Sequence, residues 1–289
     1  MGSVKAYRQE FVRDVEAPKE LGVVERPLTA WEKIWNVGAV RKTLILLALA
    51  VVWELYGRWL NNPLLLPPFG EVLRAFFDKT TDGELVSASW YSMRVLLTGY
   101  ALGVFLAAIL AILAVSTRIG NDFLETMTSM LNPLPAIALL PLALIWFGLG
   151  NVSIVFVLIH SVLWPVALNT QSGFMAVSTT LRMVGHNAGL RGIRYVAKIL
   201  IPAAFGSILT GLKIGWAFSW RTLIAAELVF GVSSGSGGVG WFIYLNKNEL
   251  EIANVFAGLF TVILIGLFVE NVVFRNVELR TVRKWGMQV

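Results

Sequence analysis

Charged side chains inside long apolar stretches are the places where this sequence could do chemistry. Lys213 and Glu227 fall in the stretch from about Ala204 to Phe230, Glu54 within 43–60, and Glu270 within 253–274. An ionised group in a bilayer costs about 2.5–3.5 kcal/mol on insertion scales, so such residues are functional candidates by default. The three glutamates could relay protons, although all three lie near the ends of their stretches, where snorkelling is cheap. On a helical wheel Lys213, Trp216, Trp220 and Glu227 gather on one side, and Arg221 points elsewhere. Lys213 sits roughly 13 Å into its stretch at the helical rise per residue, at the limit of what snorkelling relieves. One reading is an aqueous path in which Lys213 offers an anion a weak positive contact and the two tryptophans narrow the opening. The other is that Lys213 reaches the inner head groups while both tryptophans face lipid. Cysteine is absent and His160 and His186 are the two histidines. These counts argue against a thiolate nucleophile, a disulfide framework or a histidine metal cluster within the chain. No paired carboxylates or nucleophile–base constellation point to a membrane-embedded enzyme.

A second constellation is polar rather than buried. The run GHNAGLRGIRYVAKILIP, Gly185 to Pro202, is the longest basic interruption in the second half of the chain. Arg191, Arg194 and Lys198 are spaced to share one helical face, with Leu190, Ile193 and Ala197 on another. Gly189 and Gly192 allow a sharp turn, Ser178 to Thr180 offer an N-cap for an upstream helix, and Pro202 is expected to end the second helix by pushing Ile201 out of helical geometry. The spacing therefore predicts helix, glycine turn, helix. An ordinary positive loop, or one whose cations bind lipid head groups, is the alternative.

This run resembles the EAA loop of permease subunits of binding-protein-dependent ABC importers. That pattern reads Glu-Ala-Ala, three residues, Gly, nine residues, Ile, one residue, Leu-Pro; here Gly189, Ile199 and Pro202 are in register, with Ile201 where Leu is usual. Met183, Val184 and Gly185 stand at the opening triplet, so the name-giving glutamate is missing. The similarity runs from about Leu66 to the C-terminus, most closely to the taurine, nitrate and aliphatic-sulfonate group, through LLPPFGEVLRAF, PLPAIALLPLALIWFGLGN, WPVALNTQSGF and AAELVFGVSSGSGGVGW.

The resemblance implies an all-α membrane protein of the type I ABC importer permease (MetI-like) fold with six transmembrane helices. It implies that Met183, Val184, Gly185, His186, Asn187, Ala188, Gly189, Leu190, Arg191, Gly192 and Arg194 couple to an ATPase. The chain carries no Walker motif, so ATP and Mg are expected on two partner ATPase subunits and no cofactor on this chain. A second permease copy, an external solute-binding protein and the lipid bilayer complete the expected partners; nucleic acid is not among them. Lys213, Trp216, Trp220 and Glu227, together with Trp164 and Pro141, are the candidates for the translocation path. The solute is expected to be small and anionic: a sulfonate, taurine, nitrate or a carboxylate. An ion-coupled secondary transporter or channel is the alternative function.

The elements that must position these residues follow from composition. The 289 residues are 56% hydrophobic with a mean hydropathy of +0.70, outside the soluble globular range. Apolar stretches predict six spans: Thr43–Leu60, Ser89–Val115, Leu131–Phe147, Val152–Thr170, Ala204–Phe230 and Ala253–Phe274. Residues 1–40 form a polar tail, 41–275 the transmembrane domain with its coupling loop at 174–204, and 276–289 a basic tail. No apolar core lies close enough to the start for a cleaved signal peptide. Trp31, Ile34 and Trp35 share a face that fits either an interfacial helix or a loose tail. Asn121–Met130 reads as a connector, and Glu71–Phe77 as an amphipathic segment outside. Pro133, Pro135 and Pro141 should bend the third span and confine it to the bundle interior. Gly99, Gly103, Ala107 and Ala111 recur every four residues in the second span, as do Ser207, Gly211, Gly215 and Ser219 in the fifth, two stripes suited to close helix contact. The glycine–serine run 231–240 lacks the lysine of a phosphate-binding loop.

With this layout the expected inner segments hold 17 Lys/Arg: eight through Lys42, Arg118, four within 174–204 and four beyond Phe274. The outer ones hold three, Arg74, Lys79 and Lys247. That asymmetry predicts a multi-pass protein with both termini and the glycine-turn loop in the cytoplasm, and the resemblance implies the bacterial inner membrane.

Overall fold

The computed structural model of the protein describes residues 29–230 and 237–284, and all described regular structure is helical. The expected tail up to residue 28, most of the glycine–serine run and the last five residues lie outside the described residues. Contacts divide the chain into two units, residues 1–52 and 53–289.

The first unit holds α1 (Ala30–Asn36) and the opening turns of α2 (Gly38–Leu60). Thr29 and Glu32 form a capping box: the Glu32 carboxylate accepts from Thr29 N–H at 2.8 Å, and the Thr29 hydroxyl accepts from Glu32 N–H at 3.3 Å. The Thr29 N–H and the Thr29 hydroxyl, which donates to the same carboxylate at 2.9 Å, hold the Glu32 carboxyl below its ordinary value. Trp31 and Trp35 stack with ring centroids 5.8 Å apart.

The second unit begins at Trp53 in the last turns of α2, followed by the amphipathic α3 (Phe69–Thr81), which is longer than the expected 71–77. Glu54 explains where α3 starts. Its carboxylate accepts from Gly70 N–H at 2.8 Å and pairs with Arg58 at 2.6 Å, so it caps the positive end of the helix. Lys79 donates to Glu84 at 2.7 Å, a bond that raises the Lys79 ammonium above the usual lysine range and ties α3 to α4 (Glu84–Ser116).

After α4 come α5 (Arg118–Leu131), a 3-10 turn (Ala136–Leu139), α6 (Leu140–Phe147) and α7 (Asn151–Met175). The third span is not one bent helix over 131–147. Helix α5 absorbs the supposed connector, and the chain turns by 89° before the segment Ala136–Phe147. Pro133 and Pro135 lie in that break, whereas Pro141 sits in the first turn of α6, where a missing N–H costs nothing.

Both small-residue stripes grip α7. A Cβ added at Gly99 or Gly103 would stand 2.5 Å from Leu158 Cβ or 2.8 Å from Val162 Cβ. On the other flank, one added at Gly211 would stand 2.8 Å from Asn169 Cβ and one at Gly215 3.1 Å from Val166 Cγ2. The backbones of α4 and of α10 (Phe205–Phe230) therefore approach α7 as closely as glycine permits. Pro165 breaks the N–H ladder inside α7, and Asn169 Nδ2 returns a hydrogen bond to the Pro165 carbonyl at 2.8 Å.

The chain continues through α8 (Thr179–Asn187), α9 (Gly192–Ala203), α10, α11 (Val239–Asn248) and α12 (Ile252–Arg280). Among the described residues α4, α7 and α12 are each long and apolar enough to cross a membrane, and counting each bent pair as one span gives five. The first expected span coincides with α2, which stands outside that set and carries Arg41, Lys42, Glu54 and Arg58.

Candidate functional site

The loop between α7 and α10 is built from its glycines outward. Helix α8 is capped by Ser178, whose hydroxyl accepts from Leu181 N–H, and it ends in a Schellman motif. Leu190 N–H donates to the Gly185 carbonyl at 3.1 Å and Gly189 N–H to that of His186 at 3.0 Å, with Gly189 at φ +73°. Arg191 is extended, and Gly192, at φ +55°, opens α9. The predicted helix–turn–helix is therefore present, turned at the two glycines. Arg182 pins it to α7 by donating to the carbonyls of Val177 and Phe174.

The face that α9 buries is not the predicted one. Val196 and Leu200 are buried with Phe174, Val177 and Ala111, whereas Ile193 is 74% exposed and Ala197 is also exposed. Extended Arg191 restarts the helical phase at Gly192, and a π-turn over Val196–Leu200 rotates it again. Nor does Pro202 end the helix at Ile201, which keeps helical angles (φ −59°, ψ −51°). The turn falls at Ala204, where α9 and α10 meet at 79°. Gly185 is buried because α9 crosses against it; a Cβ there would lie 2.9 Å from both Tyr195 and Ile199. His186 stacks on Tyr195 at 4.8 Å. Met183, at the position of the missing glutamate, is 63% exposed, and Val184 beside it 55%. Ile193 on α9 is likewise exposed, as are Asn187, Ala188, Arg191 and Arg194 on the same element.

The residues expected on the path separate into two groups. Trp216, Trp220 and Glu227 are buried among the chain's own helices. Trp216 packs edge-on against Tyr100 at 5.5 Å, and Trp220 donates to the Val262 carbonyl at 3.3 Å. Glu227 accepts from Ser92 and from Gly240 N–H at 2.9 Å. Lys213 is ion-paired with Glu278 at 2.6 Å. This side of α10 faces α4 and α12; sequence separations of 42 to 135 residues hid those partners. Pro141 is exposed at the start of α6.

Trp164 belongs to the opposite side of α10. It lines a cavity of about 360 Å³ together with Asn132, His160, Phe218, Arg221 and Thr222, between the proline break after α5, helix α7 and helix α10. The wheel set Arg221 aside. A cation in the middle of an apolar span was itself the signal that could have found it.

Residues 91–281 match the family described as binding-protein-dependent transport system inner membrane component. The chain is 34% identical to a putative ABC transporter permease of Methanocaldococcus jannaschii, over 78% of this chain and 85% of that one. It is 29% identical to the nitrate import permease NrtB of Synechocystis (82% and 88% covered). It is also 29% identical to the taurine transport system permease TauC of Escherichia coli (77% and 81%). An all-helical chain with several bilayer-length apolar helices, a glycine-turned loop between α7 and α10, and these relatives lead to one conclusion: the chain belongs to the binding-protein-dependent transport system inner membrane component family and is a transmembrane permease subunit of an ABC importer.

Proposed function

We propose that the α8–turn–α9 element is the docking surface for ATP-binding subunits on the cytoplasmic side of the membrane. The observation that carries this reading is the exposure of Met183, Val184 and Ile193 together with Arg191 and Arg194 on one helix–turn–helix element that two left-handed glycines fix. Large apolar side chains exposed beside basic ones are suited to burial against a partner surface. The assembly contains two ATPase subunits that bind ATP and Mg, a second copy of this chain, and an external solute-binding protein. The termini lie in the cytoplasm, in keeping with the charge asymmetry. The solute is a small molecule bearing an oxoanion group, the feature shared by the nitrate and the zwitterionic taurine for which the relatives are named.

The path follows the side of α10 that bears Arg221, with Trp164 opposite, while Lys213, Trp216, Trp220 and Glu227 hold α10 to its neighbours. The test of the docking element is substrate-stimulated ATP hydrolysis by the reconstituted assembly carrying Gly189→Val. A β-branched residue at positive φ strains the turn, so stimulation is lost while basal hydrolysis by the ATPase subunits survives. Normal stimulation would remove the docking role and leave the basic residues as lipid head-group contacts.

A further inference from the structure

We propose that the polar recess in the elbow between α2 and α3 holds the head group of a zwitterionic phospholipid with a primary amine, its phosphate on Arg58 and Arg74 and its ammonium on Glu71. The inference concerns the bilayer and does not depend on which solute is imported. Three observations carry it. First, the elbow is a built frame. Asn61, in the left-handed region at φ +48°, turns the chain out of α2. Asn62 holds the turn: its carbonyl accepts from Leu65 and Leu66 N–H, and its side-chain oxygen from Leu64 N–H. The returning chain lies against α2, where a Cβ at Gly57 would stand 3.0 Å from Pro68 Cα and the Trp53 indole donates to the Pro67 carbonyl at 3.0 Å. Between the two arms is a cavity of about 510 Å³ whose charged and amide lining includes Glu54, Arg58, Asn61, Glu71 and Arg74. Second, the charges of that lining are only partly matched. Glu54 is engaged by Arg58 Nε and Gly70 N–H. Among the described residues the terminal nitrogens of Arg58, the Arg74 guanidinium and the Glu71 carboxylate make no hydrogen bond or ion pair within the chain, and all three side chains are exposed. The recess thus offers two guanidiniums to an anion and one carboxylate to a cation. Third, the recess lies at head-group depth. Tyr56 and Trp59 flank Gly57 and Arg58 in the last turns of α2; both rings are exposed, with centroids 5.7 Å apart. Exposed aromatic rings at the end of an apolar helix mark the membrane–water interface, and exposed Leu64 and Leu65 on the turn extend the apolar surface there.

The chemistry distinguishes among phospholipid heads. A phosphodiester has two unesterified oxygens that accept the paired N–H groups of a guanidinium. A primary ammonium brings three donors to Glu71. A trimethylammonium brings none, and a glycerol head brings no positive charge. Choline and glycerol heads therefore satisfy the arginines and leave the carboxylate to water. Because the charges are exposed, each such contact changes affinity by only a few-fold.

The test is the thermal unfolding midpoint of the purified assembly in detergent, titrated with dioleoyl phosphatidylethanolamine, phosphatidylcholine and phosphatidylglycerol, which share their chains and differ in the head. Wild type is expected to be stabilised by all three, with the ethanolamine lipid binding about fivefold more tightly than the others. Glu71→Gln should erase that preference by weakening the ethanolamine lipid to the level of the choline lipid. Arg74→Gln should weaken all three lipids about fivefold, and Arg74→Lys less. Glu71 and Arg74 are exposed, so these variants should assemble as wild type does. Lys247→Met should keep the wild-type pattern. No head-group preference in wild type, or a preference that survives Glu71→Gln, overturns the site. A Glu71→Gln variant with an unchanged lipid pattern but lowered stimulation by the solute-binding protein would overturn it too, and would assign the elbow to that protein.

Discussion

The Ser92 hydroxyl stands 2.8 Å from Oε1 and 2.9 Å from Oε2 of Glu227, a carboxyl group 2% exposed and joined across 135 residues of sequence. The same hydroxyl accepts from Val239 N–H at 2.9 Å, and Gly240 N–H donates to Glu227 Oε2 at 2.9 Å. Three helices, α4, α10 and α11, are thereby tied at one buried point. The backbone passes so close that a Cβ at Gly238 would lie 2.0 Å from Glu227 Oε1. Ser92→Ala leaves Val239 N–H unsatisfied and Glu227 with one donor fewer. It should destabilise the protein by about 1–3 kcal/mol, seen as a lower unfolding midpoint in detergent. An unchanged midpoint would mean that the node adds nothing to stability.

Helix packing predicts a contrast among glycines. Gly99→Val and Gly211→Val each force a side chain into Leu158 or Asn169 at under 3 Å and should abolish monodisperse expression. Gly206 lies in α10, where an added Cβ would meet nothing within 4 Å, so Gly206→Ala should be neutral or stabilise by about 0.5–1 kcal/mol. Size-exclusion profiles of the three variants decide; equal behaviour would show that the stripes do not set the spacing of α4, α7 and α10.

Lys213 and Glu278 bridge α10 to the end of α12, each about a third exposed. A double-mutant cycle with Lys213→Met and Glu278→Gln should give a coupling energy within about 1 kcal/mol. Lys213→Met should import the anion at near the wild-type rate, in contrast to Arg221→Met. A severe transport defect in Lys213→Met with normal assembly would return Lys213 to the path.

Topology is open to direct labelling because the chain has no cysteine. A cysteine at Ala188, exposed on the glycine turn, should react with an impermeant maleimide only when the cytoplasmic face is accessible. One at Asp82, exposed after α3, should react from the outside. Reversed labelling would invert the proposed orientation and separate the loop from any cytoplasmic ATPase.

The sequence by itself determined that the chain is helical and apolar enough for a membrane, the two four-residue stripes and the glycine turn, because each depends on local terms: apolar length, small side chains every fourth residue, and the φ that Gly189 and Gly192 can reach. It also determined, through the register of Gly189, Ile199 and Pro202, which family the loop resembles. What it could not determine depends on phase and on distant partners. The buried side of α9 followed from an extended Arg191 and a π-turn, each of which resets a periodicity that assumes an unbroken helix. The third span broke before Ala136 because Pro133 and Pro135 fall beyond the end of α5, while Pro141 only begins α6. A helical wheel placed Lys213 and Glu227 together and Arg221 apart, correctly as geometry. Only the tertiary structure decided their environments: Lys213 meets Glu278, Glu227 meets Ser92, and Arg221 is left facing a cavity without a carboxylate. Burial of a charge is tolerable only against a partner, and the partners here come from helices far away in sequence.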